Sequence, residues 1–78
     1  MKIVVRYFAS IREQMGCSQR IMDIPDDEVT VQYLWGLHVR DGRVSEKWLA
    51  AINQEYAAYD CTIRDGDEVA FFPPVTGG

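Results

Sequence analysis

Ile3, Val5 and Tyr7 alternate with Val4, Arg6 and Phe8. This period of two predicts a strand over Lys2 to Phe8, with one face turned to a core. Ser10-Ile11-Arg12-Glu13 has the spacing of a capping box and predicts a short helix that stops at Gly16. From Cys17 to Ile24 the pattern loosens into Arg20, Met22 and Ile24 against Ile21 and Asp23, which fits a second strand ended by Pro25. Asp26-Asp27-Glu28 reads as a solvated turn rather than an acid cluster. Thr30 is the next N-cap, and Val31, Leu34, Leu37 and His38 share a helical face flanked by Tyr33 and Trp35. Gly36 inside this main helix costs about 1 kcal/mol relative to alanine, and marks either an irregular helix or a close approach to the sheet.

Past the main helix, Asp41-Gly42-Arg43 turns the chain and Ser45-Glu46-Lys47 is a polar connector. Trp48 to Ile52 is apolar on both faces, as an inner strand should be, and Asn53-Gln54 is a tight bend before a short strand from Glu55 to Tyr59. Asp60 to Asp67 reads as loop and turn, and Glu68 to Phe72 as the last strand. Pro73 and Pro74 can continue neither a ladder nor a helix, so the segment 73–78 is expected to project from a single domain spanning 1–78. The element order predicts an α+β fold: one mixed sheet of about five strands, the main helix on one face and a short helix after strand 1. If Val5 and Phe71 point to the core, then Phe8, Tyr56, Ala70 and Phe72 lie on the uncovered face, where exposed aromatics indicate a partner surface.

Composition narrows the function. Hydrophobic residues make up 47% of the 78, enough for one small core but not for an elaborate buried catalytic constellation. The net charge of -4, with no Lys/Arg cluster, argues against nucleic-acid or anionic-membrane binding. Cys17 and Cys61 form no Cys-x-x-Cys pair; they read as two free, mostly buried thiols, with a disulfide between them as the alternative. No apolar run is long enough for a secretory segment or a bilayer span, so the cytoplasm is the expected location. His38 is the only histidine and has no neighbouring nucleophile, so it reads as a partly buried helix residue. Asp65, Asp67 and Glu68 lack the register of a calcium loop, and no metal is expected.

The run from Asp65 through Glu68-Val69-Ala70-Phe71-Phe72-Pro73-Pro74-Val75-Thr76 to Gly77-Gly78 resembles the C-terminal signature of the small, sulfur-carrying subunits of molybdopterin synthase. These belong to the ubiquitin-like sulfur carriers. Phe8-Ala9, Arg12-Glu13 and Ala51 to Tyr56 match family positions as well. The resemblance implies a β-grasp (ubiquitin-like) fold and a protein that is not an enzyme on its own. Gly78 would be adenylated by a ubiquitin-activator-like enzyme that consumes ATP, then converted to a thiocarboxylate by a sulfur donor protein. The large subunit, in a heterotetrameric synthase, would pass that sulfur to a cyclic pyranopterin phosphate. Pro73, Pro74, Val75, Thr76 and Gly77 would form the threading tail, and Phe8, Tyr56 and Phe72 would bind the partner. No cofactor is expected to be tightly bound. Carriers for thiamine thiazole synthesis or tRNA thiolation share the Gly-Gly end, as does a ubiquitin-like conjugation tag, but Phe71 to Thr76 favours the molybdopterin branch.

Overall fold

The computed structural model describes residues 1–39 and 47–74. The expected turn at Asp41-Gly42-Arg43, the connector residues Ser45 and Glu46, and Val75, Thr76, Gly77 and Gly78 lie outside the described residues. Strand β1 (Lys2–Tyr7) fully buries Ile3, Val5 and Tyr7, as its alternation requires. It pairs antiparallel with β2 (Gln19–Asp23), from Lys2 opposite Asp23 to Arg6 opposite Gln19. Between them, α1 (Ala9–Met15) buries Ile11 and Met15, one turn apart, and ends at Gly16. Gly16 adopts φ 77, the left-handed conformation glycine reaches without cost, and its N–H donates to the Arg12 carbonyl.

The helix starts ahead of the expected capping box. Phe8 is the N-cap, with no side-chain cap bond, and Ser10 lies within the first turn. Tertiary pairing explains this: the Phe8 N–H donates to the Phe71 carbonyl, while its own carbonyl already accepts from Ile11 and Arg12. Strand therefore passes into helix through a sharp turn at Ala9, φ 51, and leaves the serine no cap to fill.

The short strand β3 (Glu28–Thr30) precedes α2 (Val31–Val39), and the Thr30 hydroxyl caps the helix by accepting from the Tyr33 N–H at 3.1 Å. Val31, Leu34, Trp35 and His38 face the core. Gly36 makes no close approach to the sheet: it is exposed, and a Cβ there would meet nothing within 4 Å. Trp35 is buried rather than flanking, because its indole stacks on Trp48 at 4.7 Å and meets the edge of Phe71 at 5.0 Å.

The remaining strands are β4 (Leu49–Ile52), β5 (Glu55–Ala57), β6 (Thr62–Arg64) and β7 (Glu68–Phe72). Asn53 and Gln54 hold φ 51 and 71, the tight left-handed bend that joins β4 to β5. The main sheet runs β2-β1-β7-β4-β5, with β1 and β7 parallel and the other pairs antiparallel. This is the mixed five-stranded β-grasp sheet, and both helices contribute side chains to a core on one of its faces. Residues 62–64 are not loop, as expected, but strand β6, which pairs with β3 so that buried Val29 and Ile63 oppose each other. The acids of the following turn are occupied in structure. Asp65 accepts from the Lys2 N–H, while Asp67 accepts from the Arg64 N–H and the Asn53 amide. Both cysteines are free; Cys61 is half-buried, but Cys17 is exposed, against expectation, because it follows the Gly16 cap on the surface.

His38 is more deeply buried than expected, at 4% exposure. A carbonyl can only accept, so His38 Nδ1 carries a proton and donates to Leu34 O at 2.9 Å, and Nε2 accepts from the Tyr7 hydroxyl at 2.7 Å. Burial pushes the Tyr7 phenol up to about 12, against the opposing pull of the Arg20 charge and hydrogen bond. The unfolded chain releases this proton near the ordinary value of 10, so above that pH the folded state binds more protons. The stability this confers is fully present below pH 10 and falls by about 1.4 kcal/mol per unit as pH rises towards 12. Tyrosinate absorbance should show this: the wild-type minus Tyr7→Phe difference titration is expected to inflect near 12, and an inflection near 10 would contradict the buried network.

Candidate partner-docking face

The side of the sheet away from the helices has no layer over it among the described residues. Alternation brings Arg6 and Phe8 from the β1 end, Glu68, Ala70 and Phe72 from β7, Ala51 from β4 and Tyr56 from β5 to this side, since Val5, Val69 and Phe71 are fully buried on the other. Register arranges them in rows: Arg6 opposite Ala70, Ala70 opposite Ala51, and Ala51 opposite Tyr56. Two alanines side by side in the middle of such a row leave a depression that the larger residues wall. The result is a groove of about 390 Å³, floored by Ala51 and Ala70 and bounded by Phe8, Tyr56 and Phe72, with Arg6, Glu68 and Gln54 as its polar members.

Phe8, Tyr56 and Phe72, which lie far apart in the chain, thus come together. Phe8 is 43% exposed and Tyr56 81%. Phe72 is half-buried, its ring edge-on to Tyr56 at 5.7 Å, and it does not belong to the core cluster. Exposed aromatics in a concave, small-residue-floored groove lose less solvation on docking than charged ones and present rigid area to a partner.

Three further residues on this face carried no functional weight in the sequence. Ile21 on β2 is 65% exposed and stands opposite Val4, which extends the apolar strip towards the sheet edge; its alternation with Arg20 and Met22 was the available signal. Arg6 Nη1 bonds Glu68 Oε1 at 3.1 Å, and the guanidinium lies 5.8 Å from the Phe8 ring. That ion pair depends on the parallel β1–β7 register, which no local pattern encodes.

The tail leaves from the same place. Phe72 ends β7, Pro73 is half-buried and Pro74 is exposed, so the chain departs the sheet beside the groove. Among the described residues, no group of three or more His, Cys, Asp or Glu side chains is placed to hold a metal ion, and no helix is long and apolar enough to cross a membrane.

Compared with known proteins, residues 5–78 match the model of the ThiS family. The chain is 42% identical to the molybdopterin synthase sulfur carrier subunit of Escherichia coli (strain K12), over 97% of this chain and 99% of the relative. It is 35% identical to the subunit of the same name from Chlamydomonas reinhardtii, over 100% of both chains. Among solved structures it is similar to SAMP1 from Haloferax volcanii, with a TM-score of 0.77, 28% identity and 100% of both chains covered.

Proposed function

The chain belongs to the ThiS family, and from that premise we propose that it is the sulfur-carrying small subunit of a molybdopterin synthase. The observation that carries this reading is the full-length similarity to sulfur carrier subunits of that synthase from a bacterium and an alga. The domain itself is inert in this scheme, and the chemistry belongs to the Gly78 end. A carboxylate is a poor electrophile because its oxygen is a poor leaving group. An activating enzyme related to ubiquitin activators joins the Gly78 carboxylate to AMP, releasing pyrophosphate from ATP. A sulfur donor protein then displaces AMP, and the terminus becomes a thiocarboxylate. The large subunit binds the docking face, receives the tail, and directs the sulfur to a cyclic pyranopterin phosphate.

The chain's own residues contribute position. Pro73 and Pro74 bias the start of the tail towards an extended course, and Gly77 and Gly78 bring no Cβ into a narrow channel. Phe8, Tyr56 and Phe72 anchor the partner, which offsets the entropy lost when a tail is ordered.

Similarity to SAMP1, a small archaeal modifier protein by name, favours one second reading, a conjugation tag joined to lysine through the same activated end. Intact-mass analysis of the protein recovered from its own cells separates the two. We expect a fraction heavier by one sulfur-for-oxygen exchange. Finding the chain only in larger lysine-linked conjugates would sink the carrier reading.

A further inference from the structure

We propose that Arg6 is a specificity-determining residue of the groove: the large-subunit surface seated there carries a carboxylate opposite the Arg6 guanidinium, beside an apolar side chain that fills the floor between Phe8, Tyr56 and Phe72. The proposal rests on the docking reading above and adds the chemistry that the partner must present.

The ion pair leaves most of the Arg6 donors unmet. Guanidinium has five N–H donors, and among the described residues the bond to Glu68 is a single one, from Nη1 to Oε1 at 3.1 Å. Water serves the rest while the face is open, since the Arg6 side chain is 44% exposed. A partner closing over the groove removes that water, and a charged group buried with unmet donors is strongly unfavourable. One carboxylate meets the guanidinium edge with two parallel bonds and restores the balance. Arg6, rather than Glu68, is the end that reads the partner. Glu68 is the less exposed of the two at 32%, and its backbone N–H is tied to Asn53 Oδ1 at 3.0 Å.

Placement makes the requirement selective. Glu68 on one side and the Phe8 ring at 5.8 Å on the other hold the guanidinium beside the aromatic wall, so a partner cannot seat its apolar residue without covering Arg6. The chain as a whole is acidic, with a net charge of -4, so long-range attraction alone would bring basic surfaces to it. Arg6 opposes such surfaces locally. A basic, non-cognate protein that is drawn in then meets a like charge at the point of closest contact.

The test measures binding of the purified full chain to the large subunit from the same organism, by calorimetry at two salt concentrations, with melting of every variant checked. Arg6→Met keeps the stem and removes the charge, and should weaken binding at least tenfold while flattening its salt dependence. Arg6→Glu should abolish binding, and a lysine in place of one acid on the large subunit should restore it. Phe72→Lys serves as the control for the docking reading. If Phe72→Lys loses binding but Arg6→Met stays within twofold of wild type, the inference about Arg6 is wrong and the docking face stands. If both bind normally, the docking face itself is wrong. If the free chain sediments as a dimer that Arg6→Met dissociates, the groove is filled by a second copy, and the proposal is overturned.

Discussion

Removing Gly78, or adding one alanine after it, is expected to abolish sulfur loading by the activating enzyme while leaving the melting temperature where it was. In the proposed scheme the activated atom is the terminal carbonyl carbon. Deletion moves that carbon back by one residue, and extension moves it forward and introduces a Cβ where the glycine pair has none. Neither change touches Val5, Val69, Phe71 or any other core member, so the effect on stability should stay within about 0.5 kcal/mol. The measurement is thiocarboxylate formation by purified activating enzyme, ATP and sulfur donor, read by mass. Normal loading of the alanine-extended chain would refute the assignment of Gly78.

The second large effect contrasts two neighbours. Phe71 and Phe72 are adjacent and chemically identical, but a strand turns successive side chains to opposite faces. Phe71 is fully buried among Trp35, His38 and Trp48. Lysine there would place a charge in the core at a cost of several kcal/mol, comparable with the total stability of a domain this small, on the order of 5 to 10 kcal/mol. Phe71→Lys should therefore be unfolded. Phe72 lies on the groove side, so Phe72→Lys should melt close to wild type yet lose at least about 2 kcal/mol of binding to the large subunit, roughly 30-fold in Kd. A Phe72→Lys protein that melts far below wild type would mean that the ring serves the core after all.

Much of this was legible in the chain because alternation is a local signal with a global consequence. Ile3, Val5 and Tyr7, followed at the other end by Val69 and Phe71, mark two core-facing strands. The same parity sends Phe8 and Phe72 to the opposite face, so the groove's aromatic wall could be anticipated before any pairing was known. Strands β3 and β6 could not. Each is three residues long and carries one inward side chain, and only the Val29–Ile63 contact between distant segments makes them strands. The capping box failed for a related reason, since the tertiary bond from Phe8 to Phe71 fixes where the helix can begin. The roles of Val75, Thr76, Gly77 and Gly78 came from resemblance, and these residues lie outside the described structure.

The parallel seam between the first and last strands has a consequence for how the protein is made. Val4 pairs with Glu68 and Tyr7 with Phe71, so β1 waits for the chain to be synthesised through β7 before it can be flanked on both sides. Strand β4 likewise reaches the rest of the sheet only through β7. Contacts this distant in sequence form slowly, because the loop must close before the pairing stabilises anything. A nascent chain still lacking β7 holds two hairpins with no strand between them, so the sheet cannot be completed on the ribosome ahead of its last strand. The centre of the fold and the strand that leads into the tail are thus finished in one step. A tail that begins where β7 ends at Phe72 then signals that the domain behind it has folded, and in the proposed scheme an activating enzyme that requires the docking face would load sulfur only onto completed molecules.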